Sequence, residues 1–149
     1  MESLYQKQLL ALAHQARDIP KLSNPTHRAT ASNPVCGDRV TAFLAIEDST
    51  ILSCQVEVKG CALCEAGAGL WAQNVPGRDL QELPVLHDQL ENWLKTDTDT
   101  ADHQPEIALK GYAALTPVRA IKNRHKCVML AFSTAGLFQP LSQNKRAKE

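Results

Sequence analysis

The chain has 149 residues, 44% apolar and 21% charged, which is the size of one ordinary domain and leaves no room for a second core. Sixteen Lys and Arg balance sixteen Asp and Glu for a formal net charge of +0, which argues against a broad electrostatic grip on nucleic acid or anionic lipid. No apolar run approaches the roughly 18 residues of a membrane span, and Leu9 to Ala13 is too short for a signal-peptide core, so no membrane partner and a cytoplasmic location are expected. A chain of this length buries roughly 68–70% of the surface its unfolded form exposes, so it needs neither disulfides nor a metal merely to fold.

Leu4, Leu9, Leu12, Ala13 and Ala16 recur at helical spacing and predict an N-terminal amphipathic helix that ends before Pro20. Pro25 to Pro34 reads as polar and turn-rich. Val40, Ala42, Leu44 and Ile46 then alternate with Arg39, Thr41, Phe43 and Ala45 as a first strand. Glu47 to Thr50 forms a hairpin loop, and Leu52, Cys54, Val56 and Val58 alternate as a second, antiparallel strand.

Cys61 to Asn74 is rich in Ala and Gly, with Leu63, Leu70 and Trp71 at helical spacing. It predicts a helix packed closely against the hairpin and stopped by Pro76-Gly77. Leu80, Leu83, Leu86, Leu90, Trp93 and Leu94 give a further helix with Pro84 near its start. Thr96 to Glu106 has the acidic composition of a solvated loop. A short helix over Ile107 to Leu115, a basic stretch with Arg119, Lys122, Arg124 and Lys126, and a last helix from about Cys127 to Leu137 complete the order, with a polar tail over 139–149. The fold class expected is α+β: one domain over 1–149, with a small antiparallel sheet built on the 39–58 hairpin and four to five helices on one face.

Five cysteines, Cys36, Cys54, Cys61, Cys64 and Cys127, cannot all pair, and a cytosolic set of this kind points to metal or catalysis rather than to a disulfide framework. Cys54 alternates in phase with Leu52, Val56 and Val58, which makes it a core thiol. Cys36, Cys61 and Cys127 sit at the mouths of elements. A helix N-terminus and neighbouring basic residues favour the thiolate, so Cys61 and Cys127 are expected to ionise readily. Zinc accepts Cys sulfur and Asp oxygen, and Asp38 can reach the same ion as Cys36 past Gly37. The intervals between the three thiols are far from the local pairs of a zinc ribbon and do not by themselves establish a site.

The ordered motifs are more specific. Asn33-Pro34-x-Cys36-Gly37-Asp38, then Lys59-Gly60-Cys61-Ala62 leading into a small-residue helix, then Val118-Arg119 and Arg124-x-Lys126-Cys127-x-x-Leu130 resemble the IscU/NifU N-terminal family of iron–sulfur assembly proteins. The opening Leu4-Tyr5 helix and the Asn24-Pro25 turn fit as well. The SufU-type branch is the more similar, because Lys126, with His125 one residue further back, stands where the IscU branch has a histidine directly before the third cysteine.

The resemblance implies an iron–sulfur cluster assembly protein that takes persulfide sulfur from a cysteine desulfurase of the SufS type and serves downstream assembly or recipient proteins. It implies zinc held by Cys36, Asp38, Cys61 and Cys127, with Cys36 as persulfide acceptor. The alternative it implies is a scaffold that carries iron or a transient [2Fe–2S] cluster on the same residues, with Cys127 as acceptor. Cys64, where the family usually has serine or another small residue, and His125 are further candidate ligands. A more distant alternative is a thiol–disulfide oxidoreductase built on Cys61-x-x-Cys64. Lys122-Asn123 and Phe132 also depart from the family pattern.

Overall fold

The structure, a computed structural model, describes residues 2–35, 37–96 and 107–141. Helix α1 (Glu2–Asp18) is followed by strands β1 (His27–Asn33), β2 (Asp38–Glu47) and β3 (Thr50–Lys59), then by α2 (Ala62–Asn74), α3 (Leu83–Lys95), the short α4 (His125–Met129) and a two-residue strand β4 (Gln139–Pro140). The four strands form one antiparallel sheet in the order β3-β2-β1-β4. With four α-helices and several 3-10 segments beside it among the described residues, the fold is α+β, as the sequence pattern suggests. The expected acidic loop over 96–106 lies, apart from Thr96, outside the described residues, as does the tail beyond Leu141.

The β2–β3 hairpin closes through Asp48 and Ser49, both with left-handed backbone (φ 53° and 70°), the two-residue turn whose twist matches that of the flanking strands. Val40, Ala42 and Leu44 face the core, fully buried. The alternation fails in β3. Ala45 pairs with Ser53 but Ile46 pairs with Ile51, so Leu52 is the extra residue of a bulge. Ile51 is therefore buried, and Leu52, expected on the core face, is 57% exposed.

Two expectations for the chain flanking the hairpin are corrected. The segment read as turn-rich holds β1, which pairs with β2 from His27↔Leu44 to Asn33↔Asp38. Its inward positions are Ala29 and Ala31, too small and too weakly strand-forming to stand out as a pattern. At the other end, Gln139 and Pro140 leave the tail to pair with Arg28 and His27.

The small residues of α2 permit close packing against the hairpin, where the Ala72 carbonyl stands 3.6 Å from Cys54 Sγ, and also against two helices. A Cβ on Gly69 would overlap the Leu12 carbonyl of α1, and one on Gly67 would overlap the Val128 carbonyl of α4. Arg17 of α1 clasps Glu65 with two hydrogen bonds at 3.0 and 3.2 Å. Between α3 and α4, the expected helix over 107–115 is instead a 3-10 helix over Tyr112–Ala120 that continues past Pro117. The last helix is also shorter than expected. It stops at Met129 and gives way to a 3-10 turn over Phe132–Thr134, before Gly136 takes a left-handed φ of 83°. The core centres on Trp71, Trp93, Phe132, Leu44 and Leu90, with Tyr112 edge-on to Trp93 at 5.0 Å and the Arg119 guanidinium over the same indole at 4.6 Å.

Candidate metal centre

Four acidic donors meet where β2, the mouth of α2 and α4 converge. Asp38 opens β2 and is 8% exposed. It follows a tight turn in which Gly37, with φ 77°, donates its N–H to the Asn33 carbonyl at 2.8 Å. Gly60 leaves the space that the Asp38 carboxylate fills, since a Cβ there would stand 3.0 Å from its Cγ. Cys61 caps α2 in extended backbone, and Cys64, three residues on, is fully buried. Cys127 lies inside α4, 4% exposed. One ligand atom from each of Asp38, Cys61, Cys64 and Cys127 lies within 4.8 Å of all the others. The ligand edges of a tetrahedral zinc site with ordinary bond lengths are about 3.4–3.8 Å, so modest contraction would bring the set onto one ion.

The electrostatics call for a cation. Burial, the hydrogen bond to Asp38 and the neighbouring Cys61 all push the Cys64 thiol strongly up, so without a metal it stays protonated. Its S–H donates to Asp38 Oδ2 at 3.0 Å. Cys127 is also raised, first by burial and then by Cys61 and Asp38, with Arg124 acting against them. The expectation that Cys127 ionises readily is therefore corrected. It does not begin a long helix but sits within a five-residue one, and burial together with the acidic neighbours outweighs Arg124. Arg124 Nη1 stands 4.0 Å from both Cys61 Sγ and Cys127 Sγ. Thiolate and carboxylate donors that repel one another in a buried setting fit zinc or iron, which would hold them deprotonated and neutralise them together.

The other sequence candidates divide. Cys36, in the β1–β2 connection, lies outside the described residues. His125 stands apart from the four donors: its Nε2 faces the carbonyl oxygens of Val118 and Arg119 at 3.0 and 3.1 Å. Cys54 is a core thiol, 8% exposed, with its Sγ 3.6 Å from the Ala72 carbonyl and its pKa pushed up to about 12 by burial. Cys64, which the sequence offers only as a further candidate ligand, joins the group; the signal for it is its i,i+3 spacing from Cys61. The Cys61-x-x-Cys64 pair follows a strand of an antiparallel sheet, not the βαβ setting of a thioredoxin-like redox motif. A cavity of about 640 Å³ between β1, α3 and α4 takes in Asn33, Lys95 and Lys126, but none of the four donors lines it. Among the described residues, no helix is long and apolar enough to cross a membrane.

Known proteins share both sequence and architecture with this chain. It is 25% identical over 131 residues to the iron–sulfur cluster assembly scaffold protein IscU of Thermotoga maritima, covering 88% of this chain and 89% of that one. It is 23% identical over 101 residues to the zinc-dependent sulfurtransferase SufU of Bacillus subtilis, covering 68% and 66%. The crystal structure of an N-terminal NifU-like protein from Brucella abortus superposes with a TM-score of 0.69 at 32% identity, covering 87% and 88%. A scaffold protein of the SUF system from Fervidobacterium islandicum superposes at 0.73 with 20% identity, covering 87% and 92%, and so shares the fold. The sequence model of the NifU-like N terminal domain matches residues 4–127. Its span includes Cys36, Asp38, Cys61 and Cys127, and the chain belongs to the NifU-like N-terminal domain family, homologous to IscU and SufU.

Proposed function

We propose that this protein works in iron–sulfur cluster assembly as a SufU-like sulfur acceptor: it holds one metal ion, zinc in this reading, and takes sulfane sulfur from a cysteine desulfurase. The observation that carries the reading is the convergence of Asp38, Cys61, Cys64 and Cys127 within 4.8 Å in a fold of this family. The proposed protein ligands are Asp38, Cys61 and Cys127, together with Cys36 or another thiol of the site. When bound, zinc lowers the thiols' proton affinity and, being redox-inert, shields them without transferring electrons.

In the transfer step, an acceptor thiolate attacks the terminal sulfur of the desulfurase's cysteine persulfide. A new S–S bond forms on the acceptor, the partner's S–S bond breaks, and its cysteine leaves as a thiolate, with no net oxidation. The burial of Cys127 supports Cys36 as the acceptor, because a partner's persulfide reaches a 4% exposed residue only after the site opens. Arg124, 4.0 Å from two of the sulfurs, offsets the negative charge that accumulates there.

A second reading, a scaffold that receives iron and sulfide as a [2Fe–2S] cargo, is favoured by the wider match to IscU, 88% of the chain against 68% for SufU. Elemental analysis of protein purified without oxygen, followed by incubation with desulfurase and cysteine, separates the two. The expected result is stoichiometric zinc and a mass gain of sulfur on Cys36. Iron with a cysteine-dependent visible absorption band would establish the scaffold reading. Neither metal nor added sulfur would refute both.

A further inference from the structure

We infer that Cys61 and Cys64 form a vicinal dithiol that reduces sulfane sulfur held at the centre to hydrogen sulfide once Cys61 is free of metal. The inference rests on the sulfur-accepting reading above and extends it. Cys61 caps α2 in extended backbone, and Cys64 follows one turn along the same face. Their sulfurs lie within 4.8 Å of each other, and a Cys-x-x-Cys pair at the start of a helix has the spacing that a disulfide closes. Cys64 is fully buried and Cys127 is nearly so, whereas Cys61 is half-buried. Of these three thiols, Cys61 is therefore the one that incoming sulfur reaches first. Cys64, whose S–H donates to Asp38 Oδ2 at 3.0 Å, is shut off from outside thiols and has Cys61 as its neighbour.

The chemistry asks for such a pair. Sulfane sulfur is formally zero-valent, and the sulfide of a cluster is two electrons more reduced. A single acceptor thiol hands sulfur on without changing its oxidation state, whereas two thiols that close a disulfide supply both electrons. In the first step the Cys61 thiolate takes the outer sulfur of a persulfide, on the desulfurase or on Cys36, and the donor leaves as a thiolate. In the second, Cys64 Sγ attacks Cys61 Sγ. The Cys61–Cys64 disulfide forms, the bond from Cys61 Sγ to the outer sulfur breaks, and that sulfur leaves with the electron pair. The departing hydrosulfide takes up the Cys64 proton and becomes hydrogen sulfide. Two thiols are oxidised to one disulfide and one sulfane sulfur is reduced to sulfide, so the step balances without another reagent. A dithiol reductant then restores the pair for a further turnover.

Cys61 bound to a metal can neither take up sulfur nor be attacked, so sulfur stays on the first acceptor until the ion leaves. The Cys61-x-x-Cys64 pair thus acts on sulfur delivered to its own centre, and not as a thioredoxin-like oxidoreductase.

The test loads the full chain with sulfur from a cysteine desulfurase and limiting cysteine, without oxygen. The chain is then separated from the desulfurase and from small thiols, and a metal chelator is added. Sulfide is counted per persulfide loaded, and disulfides are mapped by mass spectrometry. Wild type is expected to keep its persulfide before chelation. Afterwards it should release about one sulfide per persulfide, with a Cys61–Cys64 disulfide in equal amount. Cys64→Ser and Cys64→Ala are expected to keep the persulfide and to release at least about tenfold less sulfide. Circular dichroism identifies a variant that unfolds, and the disulfide in wild type decides the question without either variant. Equal sulfide from wild type and folded variants, or sulfide without the Cys61–Cys64 disulfide, overturns the inference and leaves the sulfur-accepting reading intact. Release before chelation overturns the part given to the metal. A wild-type chain that gains no sulfur from the desulfurase refutes the sulfur-accepting reading itself.

Discussion

Two buried thiols, Cys54 and Cys64, lie ten positions apart in sequence and differ in what surrounds them. Cys54 sits in the wall of β3 against α2, where burial raises its pKa and its S–H donates to the Ala72 carbonyl. Cys64 is buried at least as deeply, but it hydrogen-bonds to a carboxylate and lies beside two more thiols. The first thiol is inert packing. The second is part of a collection of acids that no folded chain assembles without cost, because each ionised member disfavours the next. Burial alone does not make a cysteine functional; burial among other anionic donors does.

The largest expected effect comes from forcing apart the two helices, α2 and α4, that bring the second thiol's neighbours together. Gly67→Ala would place a methyl group in the Val128 carbonyl, so α4 must shift away from α2 and carry Cys127 with it. We expect a destabilisation of about 3 kcal/mol in urea unfolding, at the upper end for overpacking, together with loss of stoichiometric metal. A chain that keeps its metal with α4 displaced would show that Cys127 is not a required donor.

An intermediate effect tests the core thiol. The folded-state pKa of Cys54 is raised from 9.0 to about 12, so folding favours its neutral form. That stability is fully present below about pH 9 and is lost as pH rises toward 12. Metal-free wild type should lose on the order of 1 kcal/mol per pH unit across this window. Cys54→Val should make the decline shallower while leaving zinc affinity unchanged. Cys64 and Cys127 are raised as well, so part of the alkaline decline remains in the variant.

The smallest effect is expected at His125. Because its Nε2 faces two backbone carbonyls, His125→Ala should cost about 1 kcal/mol of stability and leave the metal content as it was. A loss of metal would return this residue to the list of ligands.

Much of this was legible in the sequence, and the exceptions have physical causes. The alternation of Val40, Ala42 and Leu44 and the stripe of Leu86, Leu90 and Trp93 gave the hairpin and α3 directly, because large apolar side chains mark a buried face. β1 was invisible because its inward residues are Ala29 and Ala31, whose burial depends on neighbours rather than on size. Leu52 pointed the wrong way because a bulge shifts alternation by one residue, and pairing partners are not visible in one strand alone. The final helix was overestimated because its run of small and apolar residues fits an α-helix and a chain of 3-10 turns alike. At the site, the motifs indicated Asp38, Cys61 and Cys127, and the CxxC spacing flagged Cys64. That Cys64 meets Asp38 is a contact between elements 26 positions apart, and no local pattern contains it.

The order of the donors along the chain bears on how the protein is made. Asp38, Cys61 and Cys64 emerge close together, and Cys127 follows only after α3 and the basic stretch. A growing chain thus displays an unfinished chelate: a carboxylate and two thiols with the last ligand still to come. Tight metal capture has to wait until α4 docks on Gly67, so a bound ion would certify that both ends of the domain have found each other.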